Sequence, residues 1–242
     1  MNQTSNGLSI CAIILARGGS KGLPGKNIID LAGLPLIAYT IQAAKKSQYV
    51  NRIIVSSDDA EIMKVSNIFG AETPFQRPVE LSGDYATSEE SLKHCLVWIN
   101  KEENYFPDIV VYLQPTDIFR TPAMIDDCVK ALIDDKHLDS AFMGHVTHKN
   151  YWQKINDSYL RLGKKIDFRS PRQLKAPIYR EDTGIALATR PRIILEGNRI
   201  GKNIKIIPYE IDVNFVDIHS QFDIDLSEIL IKKLKKIPNH EV

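Results

Sequence analysis

Arg17, Lys21 and Lys26 fall within eleven residues, Arg17-Gly-Gly-Ser-Lys-Gly-Leu-Pro-Gly-Lys-Asn27, together with four glycines. Glycines lack a Cβ and let backbone N–H groups close on phosphate oxygens. Ser20 adds a neutral donor. Three cations held together resist screening better than scattered ones. The chemistry this pattern suits is binding of a nucleoside triphosphate: Arg17, Lys21 and Lys26 neutralise the phosphates, and Ser20, Gly22 and Asn27 donate to the nucleotide's oxygens. Two familiar templates are excluded by spacing. A Walker A loop would need glycine where Ser20 stands and Ser or Thr where Asn27 stands. Glycines at 18, 19, 22 and 25 also fail the dinucleotide G-x-G-x-x-G pattern. A plain strand-to-helix turn would need the glycines but not the lysines.

Such a loop has to be delivered by a strand. Leu8–Ala16 is an apolar run ending in glycines, as a buried parallel strand would be. A helix follows from Pro35 through Ala44, a second strand over Arg52–Ser56, and a helix to Phe69 capped by Asp58-Asp59. Further elements are a helix over Ser88–Asn100, a strand over Asp108–Leu113, a helix from Thr121-Pro122 to Asp134 and a strand over Ser140–Val146. Strand–helix alternation predicts an α/β fold: a mostly parallel sheet with helices on both faces. Ligands then bind beyond the carboxyl ends of the strands, where loops starting at Arg17, Ser57, Gln114 and about His145 should converge. The rhythm breaks over about 147–176, where Tyr151, Trp152, Tyr159 and Phe168 alternate with basic residues. That segment reads as a hairpin or arm, folded on itself or set against a partner subunit. The sheet resumes over Gly184–Thr189 and Ile204–Pro208, with a last helix from about Ser220. Residues 1–242 form one domain with the arm inserted.

Composition narrows the function classes. With 31 Lys and Arg against 30 Asp and Glu, the net charge is +1, which leaves no basic field for nucleic acid. The cluster Lys232-Lys233-Leu-Lys235-Lys236 reads as a solvated helix face. No apolar run approaches a membrane span of roughly 20 residues, and the polar N-terminus has no secretory pattern. Cys11, Cys95 and Cys128 are widely spaced in apolar runs, as buried thiols in a reducing compartment would be. A cytoplasmic enzyme is the expectation.

Several segments in chain order resemble the cytidylyltransferases that activate sialic acids and related nine-carbon keto-acid sugars. They are Leu15–Asn27, Arg52-Ile-Ile-Val-Ser-Ser-Asp58, Arg77-Pro-Val-Glu-Leu81, Leu113-Gln-Pro-Thr116 with Arg120-Thr121, Pro171-Arg172-Gln173 and Val216-Asp217-Ile218. The resemblance implies a Rossmann-like fold and a homodimer joined through a protruding dimerisation arm. It implies CTP and a nonulosonic acid as substrates, a CMP-sugar and pyrophosphate as products, and a divalent metal. It places Arg77 and Ser88 near the cytidine. Gln114 would bond a sugar hydroxyl, although a buried structural amide suits the residue equally. Arg172 would hold the sugar carboxylate with help from Arg180, itself as readily a surface or interface arginine. An acceptor of eight carbons, or a module that binds CTP without turning it over, are the competing readings.

At the metal end the resemblance implies two aspartates one residue apart, both reaching a hard cation. Here the segment is Asp217-Ile-His219, so Asp217 is the firm ligand and His219 either a second ligand or a helix-start residue. One fewer carboxylate weakens a Mg2+ site or favours Mn2+, which accepts imidazole. Asp223 reads as a first-turn residue of the last helix. Glu181-Asp182 is more acidic than the resemblance implies. As exposed lysines, Lys21 and Lys26 should be replaceable by alanine with little loss of stability and a large loss of rate.

Overall fold

The computed structural model describes residues 7–162, 171, 176–209 and 216–234. Strand β1 (Ile10–Leu15) is central, flanked in parallel by β4 (Arg52–Ser56) and β5 (Ile109–Leu113). Between β1 and β4 lie a two-residue hairpin, β2 (Asp30–Leu31) and β3 (Leu34–Pro35), and helix α1 (Leu36–Lys46). Helix α2 (Ala60–Ile68) follows β4, α3 (Ser88–Glu103) precedes β5, and α4 (Pro122–Asp134) leads to β6 (Ser140–Thr147). After β6 come the hairpin β7 (Trp152–Ile155) and β8 (Ser158–Arg161), then β9 (Ile178–Glu181) and β10 (Leu187–Thr189). Helix α5 (Pro191–Leu195), β11 (Ile204–Tyr209) and α6 (Gln221–Leu234) complete the described elements.

The sheet runs β11-β6-β10-β5-β1-β4, with β9 paired to the end of β6. Strand β10 is antiparallel to both neighbours and β9 is antiparallel to β6, while the remaining pairings are parallel. The fold is therefore α/β with a mostly parallel sheet. Alternation along β1 shows how helices cover both faces: Ile10, Ala12 and Ile14 pack with α1 and α4, and Cys11 and Ile13 with α3 and α5. All three cysteines are buried free thiols, and burial pushes Cys11 up to about 12.

Most expected helix starts hold. Thr121 caps α4 with Pro122 in its first turn, and Thr87 and Glu90 form a reciprocal capping box on α3. The aspartate pair divides its work: Asp59 alone caps α2, accepting from Glu61 and Ile62 N–H at 2.9 and 3.0 Å. Asp58 instead accepts from Gly18 N–H at 3.0 Å. Pro35 lies just outside α1 and not in its first turn. The region expected to leave the sheet carries the exposed hairpin β7–β8. Phe168 and Arg172 lie outside the described residues. No helix among the described residues is long and apolar enough to cross a membrane.

Candidate active site

The glycine-lysine loop leaves the end of β1 and is fastened on three sides. Gly18 approaches so closely that a Cβ there would lie 2.7 Å from the Asp59 carboxylate. A Cβ on Gly22 would lie 2.8 Å from the His219 carbonyl oxygen, a backbone atom that cannot yield. Gly25 adopts the left-handed conformation, with φ of 66°, that glycine tolerates best. Buried Asn27 donates its amide to the Arg17 carbonyl at 2.9 Å, so it shapes the loop at the point where the chain turns into the cleft. Leu23 is buried with Val216 and Ile218, which ties the loop to the strip preceding α6.

The three loop cations differ. Lys26 is half-buried and donates to the Ile218 carbonyl at 2.9 Å, and burial lowers its pKa against the opposing pull of Asp217. It is not the exposed lysine expected from the sequence. Lys21 is, at 80% side-chain exposure, and its ammonium lies 2.6 Å from the Asp84 carboxylate. Arg17 donates to the Gly83 carbonyl at 3.1 Å and to Asp84 at 3.3 Å. One carboxylate thus sits between two cations where a phosphate could sit.

Beyond the loop, the buried Arg77 guanidinium donates to Ser82 Oγ at 3.0 Å and lies 3.8 Å from Asp58. Burial lowers its pKa and Asp58 opposes the shift. Ser88, the first residue of α3, places its hydroxyl 3.2 Å from Tyr112 OH. Gln114 donates to that same phenol at 2.8 Å. Tyr112 therefore links the α3 start to the β5 end, a role its place in a core strand concealed.

The far end is charge-rich. Arg180 is held by both carboxylate oxygens of Asp182, at 2.8 and 3.0 Å, and Tyr209 donates to the same carboxylate. Glu181 takes an ion pair from Arg199 at 3.2 Å. Buried Arg120 donates to the carbonyls of Gln114, Gly184 and Ile185 and to Thr40 Oγ1, and burial lowers its pKa to about 10. His219 Nε2 lies 2.8 Å from Asp217 Oδ2, both side chains exposed. Asp223 accepts from His219 and Ser220 N–H at 3.0 and 2.8 Å, the first-turn role expected of it.

A cleft of about 340 Å³ lies over the carboxyl ends of β1 and β5, in the size range of small-molecule sites. Arg17, Ser20, Lys26, Asn27, Arg77, Ser88, Gln114 and His219 all line it. Lys21 reaches it through Asp84, and Gly22 and Asp217 stand beside His219. The segment after His145 is not part of the lining; Thr116 and the strip through His219 close that side instead. Arg180 stays bound to Asp182. Asp58 and Tyr112 also belong here, although the sequence reads them as a helix cap and part of a core strand, and Asp84 carries no signal in the sequence.

A family model described as cytidylyltransferase matches residues 11–174. The chain belongs to the cytidylyltransferase family. It is 33% identical over 236 residues to a pseudaminic acid cytidylyltransferase of Campylobacter jejuni, covering 95% of this chain and 97% of that one. It is also 33% identical to a CMP-N,N'-diacetyllegionaminic acid synthase of Legionella pneumophila, covering 93% and 97%. Among solved structures, a CMP:2-keto-3-deoxy-manno-octonic acid synthetase complexed with CTP superposes with a TM-score of 0.70. That likeness, at 17% identity over 93% of this chain and 99% of the other, is one of fold. This cytidylyltransferase is thus a nucleotidyltransferase enzyme in which cations, glycines and strand ends meet in one cleft.

The donor set can be tested against the divalent metal expected of the site. Among the described residues no three metal-type side chains group together. Asp217 supplies one carboxylate, with His219 in contact with it. That fits a cation which takes one or two protein carboxylates and completes its shell with phosphates and water, as Mg2+ does.

Proposed function

We propose that this cytidylyltransferase activates a sialic-acid-like nonulosonic acid with CTP. The anomeric hydroxyl of the sugar gives up its proton to solvent and attacks the α-phosphorus, an O–P bond forms, the bond from the α-phosphorus to the oxygen bridging to the β-phosphate breaks, and pyrophosphate leaves. The product is the CMP-sugar. The observation that carries this reading is the single cleft uniting loop cations, Arg77, Ser88 and Gln114. Near-full-length similarity to enzymes named for pseudaminic and legionaminic acids supports it.

Arg17, Lys21 and Lys26 neutralise the triphosphate and the charge developing on the departing pyrophosphate. Transfer of this kind depends on positioning and electrostatics more than on a covalent nucleophile. Ser20, Gly22 and Asn27 form the cradle, the first two by donating to phosphate and Asn27 chiefly by holding the Arg17 carbonyl. Arg77 and Ser88 face the cytidine. Gln114 and Arg172 hold the sugar; Arg180 acts through Asp182 and Tyr209. Asp217 and His219 would hold Mg2+, or Mn2+ through the imidazole. The ion supplies charge neutralisation across the phosphates. The exposed aromatics of the hairpin, Trp152 and Tyr159, suit a homodimer joined through the arm, and the enzyme is cytoplasmic.

Pyrophosphate release from CTP, measured with pseudaminic, legionaminic and N-acetylneuraminic acids and with an eight-carbon keto-acid sugar, tests the proposal. Release with at least one nine-carbon acid and none with the eight-carbon acid is expected. Activity with sugar 1-phosphates and none with free keto-acid sugars would overturn it.

A further inference from the structure

Ser88, Tyr112 and Gln114 all line the cleft, and their side chains form one chain of hydrogen bonds that has a direction. It starts at Gln114. The amide nitrogen there can only donate and lies 2.8 Å from the Tyr112 hydroxyl, so the phenol oxygen accepts. Tyr112 is 1% exposed, and among the described residues the only other partner of its hydroxyl is Ser88 Oγ, at 3.2 Å. A buried phenol hydrogen without an acceptor would be costly. The Tyr112 proton therefore goes to Ser88 Oγ, and Ser88 accepts in its turn.

That leaves Ser88 with a hydrogen of its own to give. Among the described residues its hydroxyl has no partner besides Tyr112, and the side chain is half-buried in the cleft wall. A serine hydroxyl is ordinarily free to turn between donating and accepting. Here the bond from Tyr112 occupies its acceptor side, so toward the cleft it acts as a donor. Arg77, in the same lining and within electrostatic reach of Tyr112, is a donor by nature. Such a wall suits a base edge made of acceptors. Cytosine offers one at O2 and N3, whereas uracil carries a hydrogen on N3 that a fixed donor cannot receive.

We propose that Tyr112 is a positioning residue: by giving its proton to Ser88 it fixes Ser88 as a donor, and the cleft thereby selects a pyrimidine with a bare N3 over one with N3–H. This inference rests on Ser88 facing the base of the bound nucleotide.

The test is calorimetric titration of the full chain with CTP and with UTP, each with Mg2+ and without sugar. Wild type should bind CTP more tightly. Tyr112→Phe keeps the ring in the core and removes the hydroxyl, so Ser88 turns freely and the preference for CTP should fall about tenfold. Ser88→Ala should lower it by a similar factor, and adding Tyr112→Phe to that variant should change nothing further. Gln114→Glu reverses the chain. A carboxylate cannot donate to the phenol, so the Tyr112 proton turns toward it, Ser88 donates to Tyr112, and the Ser88 lone pairs face the base. The preference should then fall below that of Ser88→Ala, because the N3–H of uracil gains an acceptor; the added charge weighs on both triphosphates alike and cancels in the ratio. A merely structural Tyr112 would lower both affinities and leave the ratio unmoved. A wild-type ratio in Gln114→Glu, or losses from Tyr112→Phe and Ser88→Ala that add, overturns the relay. If Tyr112→Phe does not fold, Gln114→Glu against Ser88→Ala decides alone. Wild type binding CTP and UTP equally would overturn the placement of the base at Ser88, and the relay with it.

Discussion

At the end of the cleft proposed for the phosphates, the buried contacts of the loop are to backbone: Gly22 against the His219 carbonyl, Lys26 on the Ile218 carbonyl, Asn27 on the Arg17 carbonyl, with the charge pairs of Arg17 and Lys21 to Asp84 lying outside at the surface. At the end proposed for the acceptor they are made by charged side chains in pairs and hubs, Arg180 with Asp182 and Arg120 across three carbonyls. The first arrangement is one contiguous loop leaving one strand and closing on the strip before α6. The second assembles the loop after β5, the end of β9 and the stretch before β10, which are distant in sequence. Chemistry at the phosphate end can therefore be altered with limited damage to the fold, whereas at the acceptor end charge and stability are entangled.

The largest effect that could break this contrast is at Arg120. Arg120→Met would leave the carbonyls of Gln114, Gly184 and Ile185 and the Thr40 hydroxyl without their donor. Removing one side of a buried charged network costs about 3–5 kcal/mol, so urea unfolding should shift by that order. A shift under about 1 kcal/mol would mean that water replaces the guanidinium and that the acceptor end is looser than its hydrogen bonds indicate.

Next in size is the pair Lys26→Ala and Lys21→Ala. Loss of a charge-assisted contact to the transition state is worth roughly 2–4 kcal/mol, a hundredfold or more in kcat/KM. Lys26, held in place by Ile218, should show that loss in full; exposed Lys21 should show much less. Lys26→Ala should also lower the melting temperature slightly, because the Ile218 carbonyl loses its donor. Equal kinetic losses would show that the hydrogen bond to Ile218 does not set the contribution of Lys26.

The same contrast explains what could be read from the sequence. Cations, glycines and a preceding apolar strand are adjacent in the chain, so Arg17–Asn27 could be read as a phosphate cradle before any fold was known. Strand–helix alternation likewise exposed the parallel sheet, because each element carries its own hydrophobic period. Arg120 gave no such signal, since its meaning lies in contacts between segments about 65 residues apart. Asp58 and Asp59 show the limit on a small scale. Either could cap α2, and only the approach of Gly18 decides which one does. The reversed β10 was also invisible, because an antiparallel strand buried between two others has the same apolar run as a parallel one.

His219 joins the two ends, with its carbonyl against Gly22 and its imidazole against Asp217. His219→Asp adds a carboxylate beside Asp217 without altering the backbone contact. The Mg2+ concentration giving half-maximal activity should fall about tenfold, equivalent to about 1.4 kcal/mol, and any advantage of Mn2+ should shrink. An unchanged Mg2+ requirement would remove His219 from the metal shell and leave it as the residue that shapes the start of α6.

The smallest expected effect is at Asp84, and its sign carries the information. Its carboxylate lies between Lys21 and Arg17, and the Lys21 hydrogen bond holds its carboxyl below the ordinary range. The group therefore stays ionised in mild acid, and the pairing persists there. A triphosphate seated on those cations has to displace it. Exposed ion pairs of this kind are weak, so Asp84→Asn should tighten CTP binding only a few-fold in a calorimetric titration. The difference should fade at high salt, where exposed charges are screened. Weaker binding in Asp84→Asn would reverse the interpretation: Asp84 would then be holding Arg17 and Lys21 in position for the phosphates, and the phosphate end would depend on side-chain charge pairs as much as the acceptor end does.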